Sequence, residues 1–222
     1  MIKTFSKIAI VFIIGMIGGA LSFRLLGFYV VDERPIYLTE TREIYITENR
    51  ALQEAFEKVK GSVVGVRAGA VEGSGLVLTN DGLVVLLNET IPFNQKFSFF
   101  VDNGNPSYQV LKRDQGLNLA LVKLEANNLP SLGFKRLEDV KRGERVFLSG
   151  AVFDEDSFSR AVNEGIVRNI NNYVYTNISE GKEMQGSILF SISGEVIGIN
   201  LVGRDGRVYA IPSNVIREFA GF

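Results

Sequence analysis

A chain of 222 residues, 46% hydrophobic and with a formal net charge of −1, can build one moderate domain or two small ones around a real core. The near-neutral balance offers no general attraction to a polyanion, so nucleic acid is not an expected partner. The chain has neither cysteine nor histidine, which removes disulfides, thiolate metal sites and the commonest general base together, and no metal or cofactor is expected.

Ile8 to Ser22 is an apolar run behind Lys3 and Lys7. Apolar character resumes after Arg24 from Leu25 to Val31, bringing the stretch to about 24 residues, enough for a helix to cross the hydrocarbon core. Residues 1–31 are therefore expected to be a single-pass membrane anchor, with Arg24 snorkelling toward one interface. The lysines ahead of the run favour a cytoplasmic N-terminus and a body outside the membrane. The alternative is a cleaved signal peptide with Ala20-Leu-Ser22 as its small-x-small site, which leaves a secreted body. Apolarity continuing past that site favours the anchor. Gly15 and Gly19 form a GxxxG pattern that can bring two membrane helices together, so a homo-oligomer stays open.

Residues 32–47 alternate polar and apolar side chains and read as a spacer or an edge strand. Thr47 looks like an N-cap, and Leu52, Ala55, Phe56 and Val59 recur at helical spacing up to Gly61. Then come short strands between turn signals: 62–69, 73–79, 82–88, 96–102, 107–113 and 117–125, with Asn80-Asp-Gly82 as a hairpin turn. A connector over 129–142 leads to a second set: 145–153, 159–170, 172–178, 187–193, 195–203 and 207–212. Ser213 to Phe219 has an N-cap residue and a helical face, predicting a C-terminal helix. Two such sets argue for an all-β domain over 48–222, with antiparallel barrels at about 62–126 and 143–212.

Several blocks then carry a resemblance by their order. They are Gly73-Ser-Gly-Leu-Val-Leu, Asn80-Asp-Gly82, Gly143-Glu-Arg-Val-Phe-Leu-Ser-Gly150, Gly165-Ile-Val, Tyr173-Val-Tyr-Thr-Asn177 and Tyr209-Ala-Ile-Pro-Ser-Asn214. Together with Gly194-Glu-Val-Ile-Gly-Ile-Asn200, they resemble trypsin-like serine proteases of the HtrA (Deg) type over roughly Leu52 to Phe219. The resemblance implies a chymotrypsin-like double antiparallel barrel. No PDZ domain follows in the sequence, unlike most HtrA-type proteins.

In that family a histidine sits in a TNNHVV run, an aspartate opens a D-L-A-V-L-K strand, and the serine lies in GNSGGPL. The matching stretches here are Leu86-Leu-Asn-Glu-Thr-Ile91, Asn118-Leu-Ala-Leu-Val-Lys123 and Glu183-Met-Gln-Gly-Ser-Ile-Leu189. The resemblance thus implies a degenerate triad with Glu89, Asn118 and Gln185 at the histidine, aspartate and serine places. Glutamine supplies no acyl-transfer nucleophile, and no imidazole exists for Asn118 to orient. Glu183, Met184 and Gln185 are the oxyanion-loop equivalents, where Glu183 replaces a family glycine and brings negative charge.

An active hydrolase would have to use Ser187, with Lys182 as base. A strand-start serine and a solvated lysine is the plainer reading. Glu89 with Glu183 could suggest a carboxylate pair, but solvated glutamates are the default. Asn177 and Asn88 begin glycosylation sequons, relevant only in a eukaryotic secretory setting. The leading expectation is a membrane-anchored, extracytoplasmic pseudoprotease that binds an extended peptide or protein by β-addition. Tyr173, Tyr175, Phe153 and Phe158 are candidate surface aromatics, each with barrel core as its plainer reading. A structural membrane scaffold is the remaining alternative.

Overall fold

The computed structural model describes residues 13–22, 50–154 and 157–222. Two compact units divide the chain, residues 1–48 and 49–222. In the first, residues 13–22 form a helix, α1, and no helix among the described residues is long and apolar enough to cross a membrane. The remainder of the expected anchor, the 32–47 spacer and the Thr47 cap lie outside the described residues.

The second unit opens on helix α2 (50–59), which buries Ala55 and Val59 and half-buries Leu52 and Phe56. A 3-10 turn, Lys60–Ser62, carries the chain past Gly61, where the helix was expected to stop. Six strands follow: β1 (Val63–Ala68), β2 (Val71–Val77), β3 (Leu83–Leu87), β4 (Ser98–Phe100), β5 (Tyr108–Asp114) and β6 (Leu119–Leu124). Their antiparallel order is β4-β1-β2-β3-β6-β5. The Asn80-Asp-Gly82 turn forms as expected. Gly82 at φ +98° takes the left-handed conformation, and a Cβ there would strike the Leu124 carbonyl.

The first half forms the first of the two expected barrels, as a half-barrel. No ladder joins β4 to β5. The short β4 pairs only with β1, and side chains cover the seam between β4 and β5. Phe97 stacks on Tyr108 at 4.3 Å between centroids, and Phe99 meets the same ring edge-on at 5.4 Å. Rings placed this way bury apolar area without needing backbone hydrogen bonds.

The second half does close. Strands β7 (Arg145–Asp154), β8 (Ser157–Ile170), β9 (Val174–Ser179), β10 (Ile188–Ser191), β11 (Val196–Val202) and β12 (Arg207–Pro212) form a barrel ordered β10-β11-β12-β9-β8-β7. In β9 the alternation is strict: Val174, Thr176 and Ile178 point inward, while Tyr175, Asn177 and Ser179 point out. Phe147 of β7 and Phe190 of β10 are fully buried and stacked at 5.3 Å. They belong to a layer shared by both halves, with Leu76, Leu87, Ile188 and Ile199 beside them.

Helix α3 (Ser213–Ala220) closes the unit, burying Ile216 and Phe219 against that layer. Pro212, not Ser213, is its N-cap, because the Ser213 hydroxyl is committed to the Lys135 carbonyl at 2.6 Å. Phe153 and Phe158, candidates for a surface from the sequence, are half-buried. The long β7–β8 hairpin folds them over Gly65 of the first sheet, where Phe153 meets Phe100 and the Arg67 guanidinium.

Candidate functional site

The cleft between the two halves, about 430 Å³, is walled by Val71, Glu72 and Thr90 on one side and by Lys182, Glu183 and Gln185 on the other, with Glu89 among them. Glu89 sits in a 3-10 turn, Asn88–Thr90, at the end of β3. That turn is pinned from several directions. The Asn118 carbonyl accepts the Asn88 N–H at 3.0 Å, and Asn118 Oδ1 accepts the Glu89 N–H at 3.1 Å. Asn118 does this at φ +55°, a left-handed conformation that asparagine tolerates better than most residues. Arg113 adds hydrogen bonds to Asn88 Oδ1 at 3.0 Å and to the Ile91 carbonyl at 2.5 Å. Burial holds its guanidinium pKa below the usual arginine value.

Across the cleft, Lys182–Met184 is another 3-10 turn, and Gln185 follows it. Gln185 Nε2 donates to Glu89 Oε1 at 2.5 Å, and Gln185 Oε1 accepts the Val202 N–H at 2.7 Å. A backbone N–H can only donate and a carboxylate can only accept, so these partners set the amide orientation. Asn118, Glu89 and Gln185 thus form one hydrogen-bonded line, although they come from the turn before β6, the β3 end and the loop before β10.

Lys182 completes the arrangement from the same loop. Its Nζ donates to the Val202 carbonyl at 2.5 Å, while the residue stays exposed as a solvated lysine would be. Gly203 N–H bonds Arg207 on the β12 side, so Val202, one residue earlier, faces the opposite way. Both outward backbone groups of Val202 are therefore capped by side chains, where a further strand would pair. The sequence held no signal for this contact.

Among the described residues, the hydroxyls of Ser187 and Thr90 near the cleft are both engaged. Ser187 is fully buried, packed on Gly150, and its hydroxyl accepts from Asn200 Nδ2 at 3.0 Å. The Thr90 hydroxyl is committed to the Leu87 carbonyl at 2.7 Å. The loop's own amides turn inward as well. Met184 and Gln185 donate to the Gly181 and Lys182 carbonyls at 3.1 Å, and Gly186 donates to Asn200 at 3.0 Å. Gly186 permits this at φ +80°, where a Cβ would press on the Ser74 carbonyl at 3.0 Å.

The sequence matches the trypsin-like peptidase domain family over residues 61–199. The chain belongs to the trypsin-like peptidases, of the HtrA type. It is 32% identical to serine protease HTR4 of Rattus norvegicus, over 66% of this chain and 33% of that protein. It is 28% identical to a probable periplasmic DegP-like serine endoprotease of Pseudomonas fulva (strain 12-X), over 67% of this chain and 34% of that protein. A solved serine endoprotease from Yersinia pestis superposes with a TM-score of 0.69 at 22% identity, over 77% of this chain and 65% of that one, and shares the fold. The chain spans about a third of the length of the curated relatives it matches.

The cleft of this trypsin-like peptidase homologue is bridged by a carboxamide. Replacing Gln185 by alanine is expected to lower unfolding stability by about 1–2 kcal/mol, because the Val202 N–H and the Glu89 carboxylate both lose a partner. Gln185→Glu is expected to cost more, since it sets one carboxylate against another and leaves no donor between them. Urea unfolding of the two variants, with amide exchange at Val202, reads both effects. Equal stability of all three proteins with unchanged Val202 protection removes the bridge from the energetics.

Proposed function

We propose that this trypsin-like chain is a protease homologue that binds a protein partner without cutting it. Glu89, Asn118 and Gln185 stand at the histidine, aspartate and serine places of the family triad. The observation that carries this reading is the Gln185 amide, which joins Glu89 to the backbone of Val202 and has no nucleophilic atom to offer. With no histidine in the chain, no imidazole can activate a hydroxyl. Ser187 with Lys182 does not rescue the chemistry, because each is already bonded to another group.

β-Addition along β11 remains part of the proposal, in a form that requires Lys182 and Gln185 to release Val202 first. The helix at 13–22 lies within the apolar stretch, and membrane attachment through that stretch, with the domain outside, completes the proposed setting. The relatives' names describe proteases; proteolysis is not carried over to this chain.

A serine-reactive fluorophosphonate probe, applied to the full-length protein alongside a casein digestion, tests the central point. No labelling and no digestion are expected. Labelling that disappears in Ser187→Ala would overturn the reading.

A further inference from the structure

The outer face of the closed barrel carries a second concavity, of about 530 Å³, which shares no lining residue with the bridged cleft. Two interruptions in the ladders shape it. The β8–β9 register shifts between Val167 and Asn169, which leaves Arg168 out of the pairing. The β9–β12 register shifts between Arg207 and Tyr209. Such bulges bend a strand and re-aim its side chains.

Tyrosines make the floor. Tyr175 and Tyr209 stack at 5.9 Å, and Tyr173 meets Tyr209 edge-on at 5.2 Å. Burial first, then the neighbouring Tyr173 and Tyr175 and the charges of Glu89 and Asp205, push the Tyr209 hydroxyl above the ordinary tyrosine value. The rim is basic. Arg168 is exposed and has no ion-pair or hydrogen-bond partner among the described residues, while Arg207 pairs only with Asp205, at 3.3 Å. The Asn169 and Asn171 side chains add amides. The bridged cleft has the opposite character, with Glu72, Glu89 and Glu183 against Lys182. A chain of net charge −1 thus carries one concavity dominated by carboxylates and one where two guanidiniums face the single carboxylate of Asp205.

We infer that the tyrosine-floored concavity bounded by Arg168 and Arg207 binds an acidic, aromatic-bearing peptide segment of a protein partner. In an extended segment alternate side chains project to opposite sides, so carboxylates can reach the two guanidiniums while rings lie on the tyrosines. Guanidinium–carboxylate pairs supply charge-assisted hydrogen bonds, and the rings supply apolar burial at low entropic cost. The inference rests on the protein-binding reading above and adds the place and the chemistry of the partner. It leaves β11 capped, since Lys182 and Gln185 need not move.

The test is fluorescence anisotropy with the full-length protein and a fluorescein-labelled octapeptide of alternating glutamate and tyrosine, against a lysine–tyrosine counterpart. The acidic peptide is expected to bind and to weaken with added salt, and the basic one to bind far less. Arg168→Glu is expected to weaken binding of the acidic peptide by about tenfold or more. Arg168 is exposed and has no ion-pair or hydrogen-bond partner among the described residues, so the fold is expected to survive this variant. Tyr175→Ala, also at an exposed position, is expected to weaken it independently. Equal binding of both peptides, or affinity unchanged in Arg168→Glu, overturns the inference, as does displacement of the peptide by oligouridylate, which would make the site one for nucleotides. Failure here leaves the fluorophosphonate result intact. Conversely, probe labelling with normal peptide binding would sink the non-cleaving reading and spare this site.

Discussion

Changing Glu89→His, Asn118→Asp and Gln185→Ser together is expected to yield a protein that still hydrolyses peptide esters about 10²–10³-fold more slowly than an intact site would allow. The three side chains restore a nucleophile, a base and its orienting carboxylate. They leave the loop amides where they are. The Gln185 N–H remains bonded to the Lys182 carbonyl and the Met184 N–H to the Gly181 carbonyl, so two amides do not converge on a developing oxyanion. Adding Glu183→Gly removes a negative charge from the loop and frees its backbone to turn. This fourth change is expected to raise kcat further, with little effect on KM. Turnover of a chromogenic ester by the starting protein, the triple variant and the quadruple variant gives the ranking. A triple variant as fast as the quadruple one would show that the loop amides do not limit the site. Measurable turnover by the unaltered chain would show that the triad places have been misassigned.

Phe190→Ala is expected to cost about 3–5 kcal/mol of folding stability, a large share of the roughly 5–15 kcal/mol available to a domain. Phe190 is fully buried, stacked on Phe147, in the layer that both halves of the domain share. Removing the ring therefore opens a cavity from which neither half can withdraw alone. Phe147→Ala is expected to behave alike. The double variant should lose less than the sum by about 1 kcal/mol, the coupling of a stacked aromatic pair. Urea unfolding followed by circular dichroism measures this, since the chain has no tryptophan to report by fluorescence. A loss under about 1 kcal/mol for Phe190→Ala would mean that the layer repacks and does not hold the halves together.

Most strands were legible because each carries its own signal. Val174, Thr176 and Ile178 alternate with Tyr175, Asn177 and Ser179 in the sequence as they do between core and solvent. The turn at Gly82 announces itself through the residue types it needs. The placement of Gln185 and Ser187 followed from counting back from a strand: Gln185 now lines the cleft and Ser187 lies inside. Other features carried no such mark. Phe153 and Phe158 look the same in sequence whether they face a ligand or fold over Gly65. The exposed Lys182 caps a carbonyl twenty residues away, a contact its neighbours in sequence do not announce. The seam between β4 and β5 carries no ladder, which strand counting does not see.

By itself the sequence determined the all-β architecture, the order of its blocks and the absence of any imidazole, because these follow from side-chain periodicity and composition. It also put a glutamate, an asparagine and a glutamine at three separated points. Only the tertiary structure decided that these three meet, that Val202 is capped on both backbone groups, and that the tyrosines and Arg168 share a concavity. Each of those facts joins residues from different strands, and such contacts exist only after the ladders have set their register and the two halves have packed.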